Sequence, residues 1–477
     1  MSSSRSDKGV SPATLGLPPI FDPLWKTLPL GILVRSLLEW LLDEQTLEKL
    51  AGQAAPEQYT RELTMGTLVK LMIQVAAGNR TSVFAAYRAD VTSPTPEVTV
   101  SYQAVYGKLG RMNPALGEEL VRFSATRVGE LIAGLEKLPE PLAGYHTRVV
   151  DGNVLTGTDH RRGALRDWKP ACLPGKSLVV YEVATGLVTD LVLCEDAYTQ
   201  ERALVGGLLT RLSVGDLLLM DRNFCTTRVV FGVAAALAFF IVRQHKANLV
   251  WKSAGRWQHG GATATGTLRE RPVLVSDPES GQTLLLRQVE LHLFEKTREG
   301  ERVIRLLSNL PAEVTAMQVA ELYRDRWTVE KHFQFLTDEL HCEQGGLGQP
   351  RAALFAFAMA LVAGNALAVV RAALRTAHGA EAEATVSGHY LADEVKADYR
   401  TLMKLAPPPQ WVTFRGLHPS VMVSLLTGLA REVRLGALKK HPRGPKKPRS
   451  GQRTRGRNHK HRSTARLLRE YRKQESC

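Results

Sequence analysis

The spacing of the apolar residues changes along the chain, and that change limits the fold more than any other feature. From about Leu28 to Leu138 they recur at helical intervals, in GILVRSLLEWLLDEQTLEKL and again in NPALGEELVRFSATRVGELIAGL. Around Pro139 to Tyr145 the text switches to short β-rich runs: TRVVDGNVL, SLVVYEVATGLVTDLVLC with a turn at Thr185 and Gly186, GDLLLMDRNF and AFFIVRQ. A helix-like run from Thr199 to Leu212 separates these strands, which predicts a mixed sheet with helices against it, an α/β core. Between about Asn248 and Leu310 the signal is almost purely strand and turn, in TATGTLRERPVLVS and QTLLLRQVELHLF broken by DPESG and REGER. Helical periodicity returns from Ala312, and a second helical region runs from Gly379 to about Val433.

A chain of 477 residues exceeds one ordinary core, domains of roughly 100 to 150 residues being the usual unit. The divisions expected from the pattern are a flexible N-terminus (1–22), a helical domain (23–140) and the first part of the α/β core (141–247). A β-rich insertion (248–310), the second part of the core (311–376), a helical C-terminal region (377–433) and a basic tail (434–477) follow. An apolar fraction of 44% with 23% charged residues is ordinary globular composition and excludes a chain that is disordered or membrane-like throughout.

Charge is concentrated at one end. Between Lys439 and Cys477, 15 lysines and arginines face two acidic residues, Glu470 and Glu475, so +13 of the formal +15 lies there. Such a segment, nearly without apolar residues, is expected to stay disordered and to bind a polyanion through residues such as Lys446, Lys447, Arg453 and Arg455. A merely solvated tail is the bland alternative. Cys172, Cys194, Cys225, Cys342 and Cys477 are scattered, without CxxC pairs or a disulfide framework, which fits a reducing cytoplasm. The uncharged stretch from Ala352 to Val370 has the length of a membrane span, but it is Ala-rich, interrupted by Gly364 and Asn365 and lacks an aromatic belt, so a buried helix and no membrane contact are expected.

Asp151 follows the apolar pair Val149 and Val150, and Asp221 follows the LLLM run, so each sits at a strand end where a side chain can project into a cleft. An Asp-Gly after a strand is, taken alone, more often a plain turn. In ELYRDRWTVEKHFQFLTDEL the residues Leu322, Val329, Phe333, Leu336 and Leu340 form an apolar stripe, with Tyr323, Arg326 and Glu330 along its edge. An Arg-to-Glu surface pair is the simpler reading of that helix by itself. Three converging carboxylates would supply the hard oxygen ligands that two Mg²⁺ ions need for an in-line phosphodiester displacement. Spacing alone does not select these three from 47 acidic residues; motif context does.

At these residues the chain resembles the DDE transposases of bacterial insertion sequences, in the insertion sequence four type family with the signature Tyr-x2-Arg-x3-Glu-x6-Lys. Tyr323, Arg326 and Glu330 match it in order and spacing, Trp327 completes the Arg-Trp pair, and Asp151-Gly152 and Asp221-Arg222-Asn223-Phe224 match the two Asp motifs. The resemblance runs from about Leu28 to Leu374. It implies an RNase H-like core, with Asp151, Asp221 and Glu330 as catalytic ligands of Mg²⁺ or Mn²⁺ and a helical N-terminal domain that recognises transposon ends. It further implies a homodimer on double-stranded DNA, with nicking and strand transfer into target DNA as its reactions. Tyr323, Arg326, Arg222 and Arg243 would contact DNA, and the protein would be cytoplasmic and nucleoid-associated. Relatives stack a flipped base on an aromatic residue of the insertion, for which Trp251 and Trp257 are candidates here, packing in the sheet being the ordinary role of such a Trp. One departure is plain: Thr337 stands where the signature has Lys, which puts a hairpin step in doubt.

A DNA-binding remnant whose chemistry has lapsed is the competing reading of a different class, and a nuclease or RNA-binding protein on the same core is a third. Glu195 and Asp196, just past a core strand, are alternative acidic ligands without a matching motif.

Overall fold

The computed structural model describes residues 12–58, 62–159, 163–168, 171–245, 248–297, 300–326, 339–340, 344–441 and 462–475. Glu330, Trp327, Thr337, Lys446, Lys447, Arg453 and Arg455 lie outside the described residues.

The helical pattern of the first third becomes α1 (Phe21–Thr27), α2 (Pro29–Leu41), α3 (Glu44–Ala54), α4 (Met65–Ala76), α5 (Val83–Val91), α6 (Tyr102–Gly110) and α7 (Pro114–Ala133). The starts of α2 to α7 have local causes. The side chains of Asp43, Thr64, Ser82, Ser101 and Asn113 accept hydrogen bonds from the first-turn amides of α3 to α7, which otherwise lack partners. Pro29 and Pro114 open α2 and α7, where a missing amide proton costs nothing.

The sheet follows: β1 (His146–Val154), β2 (Lys176–Glu182), β3 (Leu187–Cys194), α8 (Glu201–Leu209), β4 (Asp216–Met220), α9 (Thr227–Ala235) and β5 (Phe239–Arg243). Gly186, at φ +74°, makes the turn between β2 and β3. Next come β6 (Val250–Ser253), β7 (Gln258–Thr263), β8 (Gly266–Ser276), β9 (Thr283–Leu293) and β10 (Val303–Ser308). The order across the sheet is β3-β2-β1-β4-β5-β10-β9-β8-β6, with β7 also on β8. β1 runs parallel to β4 and β4 to β5, while the other pairings are antiparallel. This mixed α/β arrangement fits an RNase H-like domain.

The strand-rich segment expected to interrupt the core is continuous with it. β10 pairs with β5 through Leu306–Arg243, Leu307–Val242 and Ser308–Ile241, so the insertion widens one sheet. β4 is apolar at four of its five positions and buried throughout because it is parallel-paired on both sides and covered on both faces. One cover is the cluster of Val150, Leu218, Met220 and Phe240 with Val229, Val230 and Val233 of α9. The other joins Val149, Leu217, Leu219 and Ile241 to Val319, Leu322 and Tyr323 of α10 (Ala316–Asp325).

The uncharged stretch lies within α11 (Pro350–His378), long and apolar enough to cross a membrane by length and composition, yet buried inside the fold. Expected in the second part of the core, it packs on β3 and joins α2, α4 and α7 in one apolar cluster. Asn365 explains how a polar residue survives at its centre. Its Oδ1 accepts from the Val188 amide at 2.8 Å, and its Nδ2 donates to the Val188 carbonyl at 3.0 Å and to Ser124 Oγ at 2.9 Å. The open edge of β3 is thereby satisfied by a side chain, where leaving a buried group unpaired would cost about 1–3 kcal/mol.

Helices α12 (Ala380–Ala384), α13 (Gly388–Leu405) and α14 (Pro419–Glu432) return to the same body, α13 and α14 packing on α2. Asp398 of α13 accepts from the Gly31 amide at 3.0 Å, near the N-terminus of α2. The tail differs from expectation at its end. Residues 464–475 form a helix, α15, with Leu467 packed on Leu165 and Cys172 and a bridge between Leu173 and Ser463. Ala465 and Leu467, few as they are, fall on one helix and are buried; a mean taken over the whole basic segment hides that.

Candidate functional site

Strand register sets the site. Val150 lies opposite Met220, and Met220 opposite Val242, on adjacent parallel strands. The next residues, Asp151, Asp221 and Arg243, therefore form a row where the parallel pairing of β1, β4 and β5 stops, although Asp151 lies within β1, which runs on to Val154 against β2, and not at the strand end expected from the sequence. Alternation puts them on the face of Val149, Leu219 and Ile241, the face that α10 covers. The carboxyl ends of parallel strands are where open α/β sheets bind ligands.

Asp151 is 17% exposed, and Arg326 Nη1 lies 3.5 Å from its Oδ2. Burial pushes its carboxyl up to about 6 against the pull of Arg326, and the negative charges of Asp221 and Glu201 push the same way. Asp221 caps the short turn Arg222–Phe224, accepting from the Asn223 amide at 2.8 Å. Tyr323 is 8% exposed, and burial raises its phenol to about 12, so it stays protonated beside Arg326 and Arg243.

Glu201, the first residue of α8, was not anticipated. Asn223 Nδ2 lies 3.4 Å from its Oε2, and its carboxylate occupies the space over Gly152 that a β-carbon would fill. The Asp-Gly pair on β1 thus has a steric reason beyond turn formation. No sequence motif marks Glu201; only folding brings the start of α8 under the ends of β1 and β4.

The remaining expectations divide. Arg222 and Arg243 both reach Glu301, Arg222 at 3.8 Å. Glu195 pairs with Arg351 at 2.9 Å and Asp196 with Arg466 at 2.7 Å, so both are engaged in ion pairs. Trp257 lies 4.3 Å from each of the Arg269 and Arg271 guanidiniums, and Trp251 5.3 Å from Arg271. Cys172 and Cys225 are buried and free, and burial raises the Cys225 thiol to about 11, which makes it inert.

Two carboxylates with a third nearby are hard oxygen donors of the kind that holds Mg²⁺ or Mn²⁺. Among the described residues, however, no three His, Cys, Asp or Glu side chains converge closely enough to hold one. Glu330 lies outside them.

Residues 143–363 match the family model described as a transposase DDE domain. The match supports a DDE transposase. It takes in the entire sheet, α10 and the first half of α11, with the carboxylate row inside it. No curated protein matches the chain.

Proposed function

We propose that the protein is the transposase of an insertion sequence, binding transposon-end DNA and catalysing phosphodiester hydrolysis and strand transfer. The observation that carries this reading is the register placing Asp151 and Asp221 side by side on parallel strands, within a segment that matches a transposase DDE domain.

Asp151, Asp221 and Glu330 are the proposed ligands of Mg²⁺ or Mn²⁺. Such ions, when bound, stabilise the attacking and leaving oxygens of an in-line displacement, so no protein nucleophile is needed. Arg326 holds the Asp151 carboxylate in place. Asp221 is fixed by the Asn223 amide, and Glu201 and Gly152 pack behind the pair. Arg243 and Arg222, beside the row, take the phosphates of the bound strand, and Tyr323 packs under Arg326. The helices from α1 to α7 serve end recognition. A homodimer assembles on two ends, and the basic segment with Lys446, Lys447, Arg453 and Arg455 adds sequence-independent, salt-dependent affinity for duplex. The setting is the cytoplasm, at the nucleoid.

The test is Mg²⁺-dependent cleavage of the element's own end DNA by wild type and Glu330→Gln, with binding measured in parallel. Cleavage lost with binding kept is the expected result. A wild type that binds yet never cuts would leave a DNA-binding remnant of a transposase.

A further inference from the structure

The two arginines flanking the carboxylate row are joined by a single acidic side chain. Glu301 directs one oxygen to Arg243 and the other to Arg222 Nη1, at 3.8 Å in the latter case. Two guanidiniums on the two oxygens of one anion reproduce how a pair of arginines grips the non-bridging oxygens of a phosphodiester. Arg222 is 46% exposed and Glu301 36%, so an incoming strand can reach the pair from solvent.

Glu301 is presented by a turn between β9 and β10 that is built independently of the arginines. Its amide donates to Thr297 Oγ1 at 3.1 Å, its carbonyl accepts from the Thr297 amide at 2.9 Å, and the Gly300 amide donates to the Thr297 carbonyl at 2.9 Å. The carboxylate can therefore swing away without unmaking the turn. While it stays, Asp151, Asp221, Glu201 and Glu301 outnumber Arg222, Arg243 and Arg326 among the described residues, and the added carboxylate opposes a polyanion.

We propose that Glu301 occupies the seat of a nucleic-acid backbone phosphate between Arg222 and Arg243, acting as an internal latch that the strand displaces on binding. The proposal rests on the nucleic-acid reading above. Affinity for a phosphate backbone is held down by the latch, and removing the carboxylate raises it.

The experiment measures binding of a fluorescent random-sequence duplex by the full-length protein in EDTA at fixed salt. Glu301→Gln is expected to bind roughly tenfold more tightly than wild type, within the usual span of coupling between competing contacts. Glu295→Gln, an exposed carboxylate of the same connection, controls for formal charge and should shift affinity less than about twofold. In an Arg243→Ala background, Glu301→Gln should gain nothing. Unchanged or weaker binding by Glu301→Gln, or an equal gain from Glu295→Gln, overturns the latch while leaving the nucleic-acid reading intact. Absence of binding by every variant overturns both.

Discussion

Acids along the strands and acids at the candidate site are held differently, and along the strands they are matched in both halves of the sheet: Asp190 lies 2.8 Å from Arg211 and Asp216 2.9 Å from Arg148. In the half built from β6 to β10, acids are matched: Glu290, 4% exposed, is held by Arg269 at 2.6 Å, Arg305 at 2.7 Å and His292 at 3.1 Å, and Glu270 pairs with Arg287 at 2.6 Å. In the half built from β1 to β5, Asp151, Asp221 and Glu201 gather at one edge with Arg326 as the cation nearest Asp151. Matched ladders hold strands together. Acid whose charge is disfavoured by burial, as at Asp151, is retained at a cost in stability, which makes it the better marker of chemistry.

The largest expected effect tests that distinction directly. Asp221→Asn keeps the side chain's shape and its acceptor for the Asn223 amide but removes the charge. Cleavage should fall by roughly 10³-fold or more, equivalent to about 4 kcal/mol of transition-state stabilisation, with DNA binding little changed. Single-turnover cleavage assays measure it, and a loss under tenfold would take Asp221 out of the metal site.

Asp151 yields an effect of opposite sign. Its carboxyl titrates at about 6 in the fold against 3.8 in a free chain, so the folded state binds this proton more tightly than the unfolded state. Stability is therefore full below about pH 4 and is lost as pH rises through 6. Asp151→Asn, neutral at every pH, should stabilise the metal-free protein by up to about 3 kcal/mol at pH 8 and match wild type at pH 4. Thermal melts in EDTA at the two pH values check this; a variant less stable at pH 8 would mean that Arg326 already balances the charge.

On the matched side, Glu290→Ala removes the acid shared by two arginines and His292. Arg269 and Arg305 are 43% and 45% exposed and can turn to water, so the cost should be about 1–2 kcal/mol, below that of a fully buried pair. Urea denaturation gives the loss. Cleavage per folded molecule should stay within about twofold, since the ladder supports strands and not the carboxylate row.

Much of this was legible in the sequence for a physical reason. Strand runs such as LLLM and FFIV are continuous because parallel central strands are buried on both faces, so Asp221 stood out as the first polar residue after burial ends. Register was not legible. Nothing local says that Met220 faces both Val150 and Val242, and that pairing is what brings Asp151, Asp221 and Arg243 into line. For the same reason Glu201 and Glu301, which reach the site from a helix start and a hairpin turn, carry no motif. The insertion's alternating strands announced a β unit but not their pairing with β5, because an antiparallel edge can pair with any exposed neighbour. The helix at the end of the tail was hidden by averaging its few apolar residues into a basic segment.

The smallest effect is the sharpest test of the criterion itself. Glu195 lies just past β3, in the same half of the sheet as the row, and by sequence position it is as good an acidic ligand as any. It differs in having its own cation, Arg351 at 2.9 Å, with the pair 31% and 44% exposed. An ion pair that open to water contributes little, so Glu195→Gln should cost under about 0.5 kcal/mol and leave cleavage unchanged. If Glu195→Gln were instead as defective in cleavage as Asp221→Asn, an ion pair open to water would no longer mark an acid as structural. The metal ligands would then have to be sought along the edge that runs from β3 to α8.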